Sequence, residues 1–355
     1  MRIVFYGLTI TSSWGNGHAT TYRSLIKALA KRGHSVHFVE KNVEWYRDNR
    51  DLPKPEFCTV QLYEKWDESV GALVDASKDA DAIVIGSYFN DANALSAELF
   101  TVLSAPLLFY DIDTPITIAQ LREQGRTEYI DSQTIPQYAA YLSFSGGPVL
   151  KELEQRFGSP WAVPFYCSVD PELYRPTRCR NEFRCDMSYL GTFAADRQAK
   201  LMQLLGGAAS LLPERRFIVA GPQYPTGIAW GSHVDRMIHV SPPDHSAFYC
   251  SSRFTLNLTR KEMVAAGYSP SVRLFEASAC GATIMSDSWC GMEDFLTPGE
   301  EVLLPSDEYE VASILAGMSD RERNRIGQRA RERILAEHTS EHRAQELEKI
   351  IERVS

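Results

Sequence analysis

The sequence predicts an α/β protein built from two doubly wound, Rossmann-like domains. Three observations lead there. Short apolar runs alternate with helical stretches along most of the chain, the pattern of strand–helix–strand units on a parallel sheet. The 355 residues exceed what one core of ordinary size needs. Residues 167–184, carrying Pro171, Pro176 and several charges, interrupt the alternation midway, as a linker does.

The first strand is expected at 2–7 and runs into a polar, glycine-containing loop over 9–17. A helix over 18–31 follows, with Leu25, Ile26 and Leu29 on its apolar side; Gly33 stops it, and 35–40 is the second strand. Further strands are expected at 57–62, 82–86, 106–111 and 140–144, with a short one at 161–165, so that 1–166 makes the first domain. After a linker over 167–186, alternation resumes with a strand at 187–191, a helix at 195–212 and strands at 216–221, 237–240 and 254–258. The second domain is thus 187–330, and 331–355 reads as an exposed C-terminal helix rich in Arg and Glu.

The most informative stretch is 271–287, read as a short helix, a glycine turn at Gly281 and a buried strand over 282–285. Pro270 and Ser271 supply the turn and the cap. A helix N-terminus offers free N–H groups and a positive dipole end, which suits a diphosphate. Arg273 adds charge, and Glu276, three residues on and on the same face, is placed to accept the two hydroxyls of a ribose.

Two other positions lie where parallel α/β sheets bind ligands, at the carboxyl ends of strands. His18 opens the first helix, where a neutral imidazole can take a proton from an acceptor hydroxyl or simply contact substrate. Asp111 and Asp113 end the strand at 106–111, and either can orient His18 or the acceptor; Asp113 before Thr-Pro can also cap a turn. Arg260 and Lys261 follow the strand at 254–258, with an arginine fork and a point charge for a pyrophosphate. Gly191 ends the first strand of the second domain and lets backbone approach a ligand closely.

The segment Arg273-Leu-Phe-Glu276-Ala-Ser-Ala-Cys-Gly281 resembles the donor-binding signature of GT-B glycosyltransferases, most of all the CgeB-like branch with its R-x-F-E-A-x-A-x-G run. The N-terminal Gly17-His18 and the later Arg32-Gly33-His34-Ser-Val36 are similar to the opening of family 1 and MurG-like enzymes, in which the latter run is structural. The resemblance implies a GT-B fold, two Rossmann-like domains facing an interdomain cleft, with a C-terminal helix crossing back to the first domain. It implies transfer of a sugar from a nucleotide-diphosphate sugar, UDP-sugars favoured, to an acceptor hydroxyl. His18 would then be the base of an inverting reaction oriented by Asp113. Gly191, Arg260, Lys261, Ser271, Arg273 and Glu276 would bind the donor, and Trp14, Asn16 and Asp111 the acceptor. Retaining family 4 enzymes carry Glu-x7-Glu, and Tyr268 stands where the first of those glutamates belongs. A retaining transferase and a non-catalytic sugar-nucleotide or glycan-binding protein are the alternatives.

Composition narrows the classes further. A net charge of −9 argues against nucleic acid as the main partner. No stretch approaches the length of apolar chain a bilayer requires. Seven scattered cysteines without a CxxC suggest free thiols in the cytoplasm and no zinc. Asp111-Ile-Asp113 spells the D-x-D of metal-dependent transferases of another fold, but in this setting the expected cofactor is none and the expected chemistry metal-independent.

Overall fold

The computed structural model describes residues 1–355. Contacts divide it into two compact units, Met1–Cys167 with Ser340–Ser355, and Ser168–Thr339. The first holds strands β1 (Arg2–Tyr6), β2 (Ser35–Lys41), β3 (Thr59–Tyr63), β4 (Ala82–Gly86), β5 (Leu107–Asp111), β6 (Ala140–Ser143) and β7 (Ala162–Pro164). They form one sheet in the order β3-β2-β1-β4-β5-β6-β7, parallel throughout. Central strands β4 and β5 are buried along their whole length, which is why they appear in the sequence as unbroken apolar runs rather than alternating ones.

The first helix, His18–Lys31, lies on this sheet through Tyr22, Leu25, Ile26 and Leu29. Tyr22 is keyed into it. Its ring fills space above Gly7 and Gly86, where a Cβ on Gly7 would come within 2.9 Å of the ring and one on Gly86 would collide with the hydroxyl. That hydroxyl is buried and has no hydrogen-bond partner. The C-terminal helix Ser340–Val354 packs beside the first helix, with Arg32 paired to Glu348 at 2.6 Å and Arg353 stacked over Trp161. His34, between Met1 and Glu348, is structural.

The second unit holds β8 (Cys185–Leu190), β9 (Phe217–Ala220), β10 (Val234–Met237), β11 (Ser252–Asn257) and β12 (Thr283–Ser286), parallel in the order β10-β9-β8-β11-β12. Its core gathers Met187, Leu204, Phe217, Phe254, Leu256 and Met285. One strand departs from expectation. The apolar run at 237–240 predicts β10 too late, because β10 is an edge strand whose Asp235 is exposed and whose Arg236 stacks on Tyr224, so it leaves no apolar signal. The helix expected at 195–212 contains a wide π-type stretch, Met202–Gly207, that a helical period alone does not reveal.

Residues 168–184 pack within the second unit rather than running free. Tyr174 reaches His245 at 3.2 Å, Ser246 donates to the Leu173 carbonyl at 2.7 Å, and Arg180 pairs with Asp244 at 2.6 Å. All three partners lie on helix Pro242–Ser251.

Candidate functional site

In the first unit, the loop between β1 and the first helix is braced from outside. The buried Glu40 carboxylate at the end of β2 accepts the Ile10 and Thr11 N–H groups and the Thr11 hydroxyl. Asp51 accepts from the Ser13 N–H at 2.8 Å and, bidentately, from Arg23. Burial and these donors fix the loop that delivers His18.

His18 meets Tyr88 edge to face, with centroids 5.2 Å apart and planes at 81°. Its Nδ1 is buried and unpartnered. Tyr88 donates its hydroxyl to Asp113 at 2.8 Å. Burial pushes the His18 imidazole below the usual histidine range, and the Asp113 charge partly opposes this. Asp113 occupies the position before helix Thr114–Gln124 without capping it through its side chain. His18 and Asp113 are therefore neighbours with Tyr88 between them.

Two of the expected acceptor contacts, Asp111 and Asn16, are engaged by the protein itself. Asp111 is fully buried, accepting from Tyr141 at 2.5 Å, from Thr117 at 3.0 Å and from the Asp113 N–H at 3.2 Å. Its side-chain partners lie in the interior, and burial raises its carboxyl to about 6. Asn16 is engaged inside its own loop. Its carbonyl accepts the Ala19 N–H at 3.0 Å, and its amide donates to Ser12 and Trp14 carbonyls, so it caps the first helix. Trp14 stays half-buried on the same loop.

In the second unit the helix Val272–Ala279 starts behind β11. Ser271 sits at its N-cap position, but the hydroxyl makes no cap; it donates instead to Asn257 Oδ1 at 2.6 Å. Arg273 donates to the same oxygen at 2.9 Å and to the Leu190 carbonyl at 2.6 Å, and its guanidinium lies 4.8 Å from the Tyr189 ring. Asn257 is thus a node, tied also to Ser286 at 2.9 Å. Gly191 makes room for this arrangement: a Cβ there would stand 2.7 Å from Arg273 Nη2. Sequence reasoning missed Asn257 as a participant, although a polar residue closing the apolar run of β11 was the available signal.

Glu276 turns away from this node. Its carboxylate is buried 3.5 Å from the Tyr249 hydroxyl and 3.8 Å from His245 Nδ1. Arg260 lies 3.6 Å from Asp196, whose carboxylate also accepts the Lys261 N–H at 3.0 Å, while the Lys261 side chain is exposed. Tyr268 adopts a left-handed backbone, φ +49°, with its ring against Gly291. No group of three or more His, Cys, Asp or Glu side chains gathers as a metal site.

Residues 197–349 match the family model described as glycosyl transferase-like. Sucrose-phosphate synthase from Thermosynechococcus elongatus superposes with a TM-score of 0.71 at 15% identity, over 99% of this chain and 98% of that one. Anabaena HepE with UDP and glucose gives 0.72 at 12% identity, over 99% and 100%. An alpha-glucosyltransferase in complex with UDP-glucose and DNA containing an abasic site gives 0.70 at 13% identity, over 99% of both chains. No curated protein matches in sequence. At these identities the solved structures establish the fold, GT-B, and the match over residues 197–349 supports a glycosyltransferase.

Proposed function

We propose that this enzyme transfers a sugar from a UDP-sugar to an acceptor hydroxyl without a metal ion, with His18 as general base and inversion at the anomeric carbon. The observation that carries the reading is His18 itself: it opens the first helix at the carboxyl end of β1, burial pushes its imidazole below the usual histidine range, and the Asp113 charge is close by. A neutral imidazole can take the acceptor proton as the hydroxyl oxygen bonds to the anomeric carbon and the diphosphate leaves. Arg273 and the uncapped N-terminus of its helix suit the charge that develops on that diphosphate.

Several further points support the reading. HepE and the alpha-glucosyltransferase hold UDP or UDP-glucose, which favours a uridine donor here. Tyr268 in place of a carboxylate favours inversion over a retaining course of the family 4 kind. Ser271, Arg260 and Lys261 are the remaining donor contacts we propose, with Glu276 for the ribose. The net charge of −9 favours an acceptor other than nucleic acid, such as a glycan, a lipid-linked glycan, a protein or a small metabolite. No helix is long and apolar enough to cross a membrane, and seven free thiols suit the reducing cytoplasm.

The test is thermal unfolding with UDP, GDP, dTDP, CDP and ADP, each with and without EDTA. Ligand at a hundredfold excess over its dissociation constant adds about 2.7 kcal/mol of stability. The expected result is a rise with UDP that EDTA leaves intact. A rise abolished by EDTA would remove the metal-independent mechanism, and none with any diphosphate would remove the donor site.

A further inference from the structure

The base assignment leaves one arrangement unexplained. A histidine acting with an aspartate ordinarily gives its second ring nitrogen to the carboxylate. Here His18 Nδ1 is buried without a partner, while the Asp113 carboxylate accepts the Tyr88 hydroxyl at 2.8 Å. Tyr88 is also the residue whose ring edge meets His18. Its backbone is left-handed, φ +66°, a region costly for any residue with a Cβ and maintained only where the surroundings enforce it. The surroundings do so. The Tyr88 ring packs on Tyr129 at 4.8 Å, and Tyr129 bonds Thr117, which bonds Asp111. The preceding Ser87 hydroxyl accepts the Ile112 N–H at 3.0 Å.

We propose that Tyr88 is a positioning residue that holds the Asp113 carboxylate off His18 Nδ1, so that the aspartate acts on the imidazole through space and not through a direct hydrogen bond. This deepens the reading of His18 as base and rests on it for its catalytic meaning. The charged and titratable groups around the pair are Asp113 and the buried Asp111 on the β5 side, Tyr88 after β4, and Tyr129 and Tyr141 behind them. Asp113 is the charge that acts on the imidazole, so its release is what the titration reads.

The experiment follows the His18 ring by NMR in histidine-labelled protein, assigned with His18→Gln, across a pH titration. In Tyr88→Phe the ring stays and the hydroxyl goes. Asp113 is then free to bond Nδ1–H, and the His18 midpoint should rise by about one pH unit, the scale of a carboxylate brought into contact. In an Asp113→Asn background the same substitution should leave the midpoint where it was. A midpoint unmoved by Tyr88→Phe, or moved equally in both backgrounds, overturns the proposal. The acid limb of UDP-glucose turnover to UDP separates the two readings. If it moves with the midpoint, both stand. If the midpoint rises and the limb does not follow, Tyr88 positions Asp113 but His18 is not the base. The UDP-induced thermal shift, set by the second unit, reports that the variants remain folded.

Discussion

The two half-sites are built from different chemistry. Around His18, the side-chain hydrogen bonds run through hydroxyls and carboxylates: Tyr88, Asp113, Thr117, Tyr129, Tyr141 and Asp111. Around Arg273, contacts run through groups that do not titrate near neutral pH: the Asn257 amide, the Leu190 carbonyl and the Ser271 hydroxyl. The first environment can tune and move a proton. The second can hold a permanent charge in one orientation whatever the pH. On the proposed reading the first environment serves a base and the second a charge clamp.

That contrast is broken or sharpened by substitution. The largest effect is expected from His18→Ala. Turnover should fall by about 10²- to 10⁴-fold, the contribution of a positioned base, while UDP affinity measured by calorimetry stays unchanged. Equal losses in both would merge the two half-sites into one. Arg273→Ala should show the reverse order. Losing a charged hydrogen-bond donor costs about 1.5–3 kcal/mol, so UDP should bind tenfold or more weakly, and the weakening should be flat from pH 6 to 9. Gly191→Ala comes next, since its new methyl displaces Arg273 Nη2 from 2.7 Å. A cost of about 1–3 kcal/mol is expected, read as weaker UDP binding with the His18 titration unmoved.

The smallest effect belongs to the C-terminal helix. Arg32 holds the Glu348 carboxyl down at about 2 in the folded protein. Because that value lies below the ordinary one, the pair's stability is present above about pH 4.5 and is lost as pH falls toward 2. Glu348→Gln should therefore lower stability slightly at pH 7, by about 0.2–1 kcal/mol for a partly exposed pair, and the difference should shrink as pH falls toward 2.

Much of the fold was legible because parallel sheets write themselves plainly. Strand β4 was placed to the residue and the first helix likewise, since apolar runs and a helical period are local signals. Strand β10 was not, because an edge strand need not be apolar. The site was legible in residue type more than in role. Arg273 and His18 stood out by their position at strand and helix ends. That Asn16 caps a helix and Asp111 serves the interior depends on which way each side chain turns, which spacing does not encode. The role of Tyr88 was least legible, since a left-handed tyrosine is a product of tertiary packing.

Tyr22 lies one helical turn beyond His18 and is locked over Gly7 and Gly86. The ring that seats the helix on the sheet therefore also fixes how far His18 stands above it. Any side chain at residue 86 displaces that ring, so a change there reaches His18 through the helix. Among relatives, a bulkier residue at position 86 should occur only together with a smaller one at position 22. Since the Tyr22 hydroxyl is unpaired and is the atom a Cβ at position 86 would strike, phenylalanine at position 22 should be tolerated freely and should be the first change to accompany alanine at position 86.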